Sequence, residues 1–270
     1  MTFLTIAGWI LGAWLLLVGL MYFGQRGLLY HPDPRPPDAV ELRQADFQTL
    51  PVRSMDGLDL TAWHRPALAG RATLILFQGN AGNLGDRIHL AMPLALRGFG
   101  IVLASYRGYG GAPGKPTEEG LVRDGRATLE ALEAAGVPRS QIVIWGESLG
   151  SGVATWLASM AAGEGRPVRA LVLQAPFTSV WQRAAELYPF VPARWLVMDR
   201  FDNLGRIAEV GAPLLIVHGE ADGVIPAAHG RRLLEAAREP KTGVFIPDAD
   251  HNDLHAFGVT DRIAEFLERL

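Results

Sequence analysis

The chain has 270 residues, of which 49% are hydrophobic and 20% charged, which suits one α/β domain with a sizeable core. Its net charge of −3 gives no electrostatic footprint for nucleic acid, so no nucleic-acid partner is expected. The absence of cysteine excludes disulfides, a thiolate nucleophile and a cysteine zinc site.

The chain begins with an apolar segment, residues 3–23, that carries no charged side chain. As a helix it is about 30 Å long, the hydrocarbon thickness of a bilayer. We therefore predict a transmembrane anchor over residues 1–24. A cleaved signal peptide and a buried core helix are the alternatives; the first fits less well because no Lys or Arg precedes the apolar run and no cleavage site follows it. Arg26 and Arg35 favour a cytoplasmic catalytic domain, although two arginines do not fix the orientation.

Residues 25–40 are predicted to be a proline-rich linker. The stretch 31–38 reads His-Pro-Asp-Pro-Arg-Pro-Pro-Asp. Its prolines disfavour both helix and strand pairing, which indicates an extended spacer. One folded domain is then expected over residues 41–270.

That domain is predicted to begin with a hairpin and to continue as a parallel sheet. Residues 46–53 and 58–64 flank Asp56-Gly57, a strong signal for a two-residue hairpin turn. Short, continuously apolar runs then alternate with helical patterns, which is typical of a doubly wound sheet covered on both faces. The predicted strands are 73–77, 101–105, 142–145, 170–173, 214–218 and 243–246, and the predicted helices follow Asn83 and Thr117 and cover 149–162 and 259–270.

The segment Gly146-Glu147-Ser148-Leu149-Gly150 lies between a predicted strand and a predicted helix, the context of a nucleophile elbow. In such a turn the Ser148 hydroxyl is held out at the carboxyl edge of the sheet, and the Leu149 amide points to where an oxyanion would form. We therefore predict Ser148 as nucleophile and Leu149 as an oxyanion donor. The alternative is a small-residue turn that happens to contain serine. Glu147 is expected to be buried and paired under the turn.

A serine hydroxyl needs a base to become a nucleophile, and that base needs an acid to fix its tautomer. His251 follows the last predicted strand, at the edge where catalytic groups gather in open α/β sheets, and is the predicted base. Asp222 follows the strand 214–218 and is the predicted acid, with Asp248 and Asp250 as competitors. His218 is expected to be a packed turn histidine.

The loop 77–83 follows the first central strand and contains Gly79 and Gly82. We predict the Asn80 amide as the second oxyanion donor, since glycines allow close approach of the backbone and a helix follows. An ordinary helix-capping loop is the alternative. No metal is expected, because Asn252 stands where a metalloprotease pattern requires Glu after the first histidine.

The stretch 176–210 interrupts the alternation of strands and helices and is read as an insertion. It is rich in aromatic and apolar side chains that are predicted either to line an acyl pocket or form a lid, or to pack on the sheet. These are Trp181, Leu187, Tyr188, Phe190, Val191, Trp195, Leu196, Val197, Met198 and Phe201.

Together these motifs resemble the membrane-anchored, Bem-like branch of the α/β-hydrolase superfamily, which is related to depalmitoylating and lysophospholipase-like serine hydrolases. The resemblance covers nearly the whole chain. Besides the elbow it is carried by the segments 79–83, 106–110, 116–121, 176–179 and 251–254. It implies an α/β-hydrolase fold with an N-terminal antiparallel hairpin and one preceding transmembrane helix, a triad of Ser148, Asp222 and His251, and no cofactor. Two departures are Gln78, where the family usually has His, and Ala112, where it usually has Ser.

The predicted function is therefore a serine hydrolase that cleaves carboxylic esters or thioesters of acyl or lipid-like substrates. Its expected location is a single pass through a bacterial-type cell membrane. A serine peptidase of the prolyl-type relatives and a catalytically inactive, membrane-bound binding module are the alternatives. A dehalogenase would need a carboxylate in place of Ser148.

Overall fold

A computed structural model describes residues 2–270 as one long N-terminal helix followed by an α/β domain. The helices are α1 (Phe3–Leu29), α2 (Ala39–Gln44), α3 (Ile88–Leu96), α4 (Glu118–Ala134), α5 (Gly150–Gly163), α6 (Val180–Leu187), α7 (Ala193–Leu196), α8 (Ala228–Ala236) and α9 (Val259–Leu267). The strands are β1 (His31–Pro32), β2 (Gln48–Arg53), β3 (Asp59–Arg65), β4 (Thr73–Phe77), β5 (Ala81–Gly82), β6 (Gly100–Leu103), β7 (Ile142–Glu147), β8 (Ala170–Gln174), β9 (Leu214–Gly219) and β10 (Lys241–Ile246).

Eight of these strands form one sheet in the order β10-β9-β8-β7-β4-β6-β3-β2. Strands β2 and β3 pair antiparallel, as do β3 and β6, and the other neighbours are parallel. The predicted mostly parallel sheet with an N-terminal antiparallel hairpin is confirmed. At the hairpin turn Gly57 has φ +87°, a conformation that glycine adopts without steric cost.

The central strands are buried on both faces, which explains their continuous apolar sequences. Alternate residues of β4 point to opposite sides of the sheet. Ile75 and Phe77 pack in the core that includes helices α4 and α5, whereas Leu74 and Leu76 pack in the core that includes α3 and α9. Because the parallel strands share one carboxyl edge, the loops after β4, β7, β9 and β10 meet there.

Helix α1 extends to Leu29, beyond the predicted end of the anchor at residue 24. Its residues are exposed or half-buried, so the alternative of a buried core helix is wrong. Its length and composition are sufficient to cross a membrane.

The segment predicted to be an extended spacer is docked on the domain. Residues 25–29 continue α1, and His31–Pro32 pairs in parallel with Ala81–Gly82. The prolines do not prevent this pairing, because the N–H groups that are used belong to His31 and Asp33, which donate to the Asn80 and Gly82 carbonyls at 2.8 and 2.9 Å.

Several predicted boundaries differ from the structure by a few residues. Strand β6 ends at Leu103, β10 begins at Lys241, and α9 ends at Leu267. The helix predicted after Asn83 starts as a 3-10 turn, Leu84–Arg87, and Asn83 caps it by accepting the Gly85 N–H at 2.8 Å.

The insertion 176–210 contains α6, α7 and a 3-10 turn at Ile207–Glu209. Some of its apolar side chains line a cavity and others pack in the core. Leu187, Tyr188, Val191, Leu196 and Val197 line a cavity. Phe201 is buried in the core, where a Cβ on Gly152 would lie 2.5 Å from its Cδ1 atom. Trp195 and Phe190 are exposed.

Candidate active site

Ser148 occupies the sharp turn between β7 and α5. Its φ of +48° is rare for a residue with a side chain and marks a backbone held by its surroundings. Two glycines permit the turn: a Cβ on Gly150 would lie 2.0 Å from the Phe77 carbonyl oxygen, and one on Gly146 would lie 2.6 Å from the Gly150 carbonyl oxygen. The strand and the helix therefore approach each other more closely than any larger residue allows.

Three of the predicted site residues form one chain of hydrogen bonds across loops that are distant in sequence. The Ser148 hydroxyl lies 3.0 Å from His251 Nε2, and His251 Nδ1 lies 2.8 Å from Asp222 Oδ2. Because a carboxylate only accepts, Nδ1 carries the proton and Nε2 accepts from the serine. The competing acid Asp250 instead accepts the Gly223 N–H at 2.9 Å.

The Asp222 carboxylate is fully buried and accepts hydrogen bonds on both oxygens. Besides His251, the Val224 and Ile225 amides donate to its Oδ1 at 2.9 and 2.7 Å. Burial alone would raise the pKa of Asp222, but the hydrogen bonds from His218, His251 and Ile225 outweigh burial and hold its pKa well below the ordinary value. The group therefore stays ionised beside the imidazole.

His218 is buried as predicted, but its contact with the acid was missed. Its Nε2 lies 2.8 Å from the Ile225 carbonyl and 3.2 Å from Asp222 Oδ2. Both neighbours are acceptors, so Nε2 carries the proton and His218 donates toward Asp222. The only sequence signal for this contact is the spacing of four residues across one turn.

The two predicted oxyanion donors border the same cavity as Ser148. Among residues 2–270, neither the Asn80 N–H nor the Leu149 N–H is a donor in the backbone hydrogen bonds of turns, loops and helix caps. Two hydrogen bonds fix the Asn80 loop: the Asn80 carbonyl accepts from Tyr109 Oη and from the His31 N–H, both at 2.8 Å. A Cβ on Gly79 would lie 3.5 Å from the Ser148 Cβ, so this loop directly abuts the elbow.

Glu147 pairs with Arg87 beside the elbow, as expected, and both side chains are mostly buried. Gln78, which stands where the resembling family usually has His, is 1% exposed. Its amide oxygen and nitrogen have no hydrogen-bond partner among the described residues. His255 packs edge-on against the His89 ring, with 5.2 Å between the ring centroids.

Ser148 lies at a cavity of about 580 Å³, within the usual range for small-molecule sites. Its walls come from the oxyanion loop, the insertion and, unexpectedly, the last three turns of α1. The α1 residues that line it are Val18, Met21, Tyr22, Gln25, Leu28 and Leu29. The helix predicted as an anchor is thus also one wall of the site.

Known proteins resemble this chain in both sequence and fold. The sequence profile of the alpha/beta hydrolase fold family matches residues 72–203. The chain is 40% identical over 250 residues to the uncharacterized protein Rv2307c of Mycobacterium tuberculosis, which covers 90% of this chain and 87% of that protein. It is 34% identical over 191 residues to the lysophosphatidylserine lipase ABHD12 of Macaca fascicularis. This match covers 65% of this chain and 48% of the relative.

A solved structure of the Pyrococcus furiosus esterase Pf2001 superposes with a TM-score of 0.70 at 18% identity, over 89% of this chain and 97% of that one. This likeness shows the fold. The profile match, together with the relatives of 30% identity or more, shows the family. The resemblance drawn from the sequence motifs is confirmed, and the chain is a member of the α/β-hydrolase family.

Proposed function

We propose that the protein is a serine hydrolase that cleaves carboxylic esters or thioesters of acyl, lipid-like substrates. The proposal is carried by the hydrogen-bonded chain from Ser148 through His251 to Asp222 at the edge of an apolar cavity. The nucleophile, the acid and the base follow one another along the chain in the order Ser, Asp, His, the order found in α/β-hydrolases.

In the proposed cycle His251 removes the Ser148 proton as the hydroxyl oxygen attacks the substrate carbonyl. The Leu149 and Asn80 amides stabilise the oxyanion, and each lowers the activation free energy by about 3 kcal/mol. His251 then protonates the leaving alcohol or thiol. Water, activated by the same imidazole, hydrolyses the acyl-enzyme and releases the carboxylic acid. Asp222, ionised throughout, stabilises the imidazolium that forms at each step.

The lining of the cavity supports a lipid-like acyl group. Its walls include Met21, Leu28, Val191 and Leu196, which offer apolar contact to an alkyl chain. The relative ABHD12 is by name a lysophosphatidylserine lipase, which agrees with an ester of a single-chain lipid. Retention of α1 in the mature protein is part of the proposal, since cleavage after the apolar run would remove part of this wall.

Labelling with a fluorophosphonate probe tests the nucleophile. Wild-type protein should gain one probe adduct in the intact mass spectrum, Ser148→Ala should gain none, and Ser159→Ala, on the same helix away from the site, should label like wild type. Labelling of Ser148→Ala at the wild-type rate contradicts the proposal.

Turnover measurements then define the substrate. A series of acyl esters of increasing chain length, compared with an aminoacyl amide, separates an acyl hydrolase from a peptidase. Higher kcat/KM for long acyl chains is expected. Faster cleavage of the amide, or of short soluble esters only, would reject the lipid substrate while leaving the nucleophile intact.

A further inference from the structure

Side chains of α1 fix the helix along the insertion. Trp14 Nε1 donates to the Phe190 carbonyl at 2.9 Å, and Arg26 Nε donates to Asp199 Oδ2 at 2.9 Å. Asp199 is buried, whereas the Arg26 side chain is 47% exposed, so this second contact joins the surface of α1 to the interior of the insertion. Between Trp14 and Arg26 the helix rises about 18 Å. The C-terminal half of α1 therefore lies against the domain rather than clear of it.

This contact determines how deep the insertion lies if α1 crosses a membrane. Within α1, residues 3–13 form about 16 Å of helix before Trp14, whereas a hydrocarbon core is about 30 Å thick. A spanning α1 therefore carries Trp14 near mid-depth, with Arg26 as the first charged residue beyond the apolar run. Because Phe190 is bonded to Trp14, its loop lies within the leaflet as well.

The loop that contacts Trp14 has the composition that such a position requires. Residues 187–193 read Leu-Tyr-Pro-Phe-Val-Pro-Ala and contain no charge. Leu187, Tyr188 and Phe190 are nevertheless 52%, 37% and 48% exposed. An apolar surface of this kind beside an apolar helix marks an interaction site, and here it is continuous with the membrane-spanning candidate.

Three of the backbone N–H groups of this loop are satisfied within the protein. Two of its residues are prolines and have no N–H to satisfy. The N–H groups of Tyr188, Val191 and Ala193 donate to the carbonyls of Ala184, Tyr188 and Val191 at 2.8, 2.9 and 2.7 Å. The Trp14 indole occupies the Phe190 carbonyl. Polar groups that are satisfied within the protein lower the cost of placing irregular backbone at membrane depth.

The cavity lies between the same two elements. Val18 and Met21 of α1 line it together with Leu187 and Val191 of the insertion, and Ser148 lines the same space. We propose that the loop 187–193 is inserted into the acyl region of one leaflet beside α1, and that a lipid acyl chain enters the cavity sideways from the bilayer. The sideways entry rests on the proposed acyl hydrolase function, whereas the insertion of the loop does not.

The chain contains no cysteine, so a single introduced cysteine reports on one position. Phe190→Cys, in a Ser148→Ala background and labelled with an environment-sensitive fluorophore, is reconstituted as the full chain in phosphatidylcholine vesicles. The matched control is Met55→Cys, because Met55 lies on the hairpin turn and is 68% exposed. We expect blue-shifted emission and quenching by nitroxide-labelled lipids at position 190, and quenching by aqueous iodide at position 55. Equal iodide quenching at both positions overturns the insertion.

Sideways entry is tested by Phe190→Glu, since Phe190 is exposed and does not line the cavity. With a long-chain ester embedded in vesicles, kcat/KM should fall at least tenfold, while turnover of a short soluble ester should stay unchanged. Unchanged turnover of the embedded ester overturns sideways entry. If no ester is cleaved by the wild-type protein, the hydrolase proposal fails, and the fluorescence result still decides whether the loop is inserted.

Discussion

The Asn80 side chain donates a hydrogen bond to the Leu29 carbonyl at 2.9 Å and so ties the proposed oxyanion loop to the last turn of α1. The bond links a helix that lines the cavity to the loop whose amide is proposed to stabilise the reacting oxygen. The position of that amide therefore depends on a segment about 50 residues earlier in the chain.

Asn80→Ala keeps the backbone amide but removes this tie. We expect kcat to fall about fivefold with little change in KM, because a neutral hydrogen bond contributes about 1 kcal/mol and the loosened amide acts on the transition state. Tyr109→Phe, which removes the bond to the Asn80 carbonyl, should produce a fall of similar size. Steady-state kinetics on an acyl ester measure both, and wild-type kcat in both variants would show that the loop needs neither contact.

His218→Phe tests whether the buried histidine positions Asp222. Among residues 2–270, His218 and His251 are the side-chain donors within 3.2 Å of the carboxylate, and the variant removes the first. A hydrogen bond to a charged group contributes about 1.5 kcal/mol, so kcat should fall about tenfold while KM changes little.

His218→Gln, which retains an N–H donor, separates positioning from packing. It should recover part of the lost kcat, although both variants alter the shape of the side chain. Equal losses in the two variants, together with equal losses of thermal stability, would assign His218 a purely structural role.

The strands and the elbow were predictable because each depends on a short stretch of sequence. Continuous apolar runs such as 73–77 identify central strands, and carboxyl-edge loops gather Ser148, Asp222 and His251 whatever the details of packing. The assignment of α/β-hydrolase fold needed no long-range contact.

The walls of the cavity were not predictable, because they depend on pairs of residues far apart in the chain. Trp14 contacts Phe190 and Arg26 contacts Asp199 across more than 170 positions, and nothing local to either segment signals the other. The docking of residues 31–33 was missed for a different reason. A proline-rich stretch disfavours pairing on average, but the two N–H groups that pair belong to His31, just before the first proline, and to Asp33, between two prolines.

Asp56 in the hairpin turn should make the free energy of unfolding depend on pH in the acid range. Hydrogen bonds from Arg107 lower the pKa of Asp56 to about 2, so the folded protein holds this carboxylate ionised where the unfolded chain binds a proton. The contribution to stability is complete above about pH 4 and is lost as the pH falls toward 2. Asp56 is an exposed residue whose side chain is 29% exposed, so we expect solvent screening to limit this contribution to about 1–2 kcal/mol.

Urea denaturation of wild type and Asp56→Asn between pH 7 and 2 measures this contribution. The free energy of unfolding of the variant should be lower than that of wild type at pH 7, and the gap should narrow between about pH 4 and 2. A gap that stays constant over that range would mean that the Arg107–Asp56 pair does not favour the ionised form.

Gly150→Ala probes the close packing that forms the elbow. The added Cβ would lie 2.0 Å from the Phe77 carbonyl oxygen, a backbone atom that moves only if β4 or α5 shifts. Forcing extra volume into such a contact costs about 1–3 kcal/mol, so the midpoint of thermal unfolding should fall by several degrees.

Gly163→Ala is the matched control on the same helix, since outside that helix's own backbone and the chain neighbours no heavy atom lies within 4 Å of its new Cβ. It should leave stability unchanged or raise it slightly, because alanine favours helix over glycine. The shift in Gly150→Ala should also displace the Ser148 hydroxyl from His251 and slow fluorophosphonate labelling, an effect that the control should not show. If the two variants unfold at the same temperature and label at the same rate, the elbow has more room than the contact with Phe77 implies, and the strained turn is not what holds Ser148 in place.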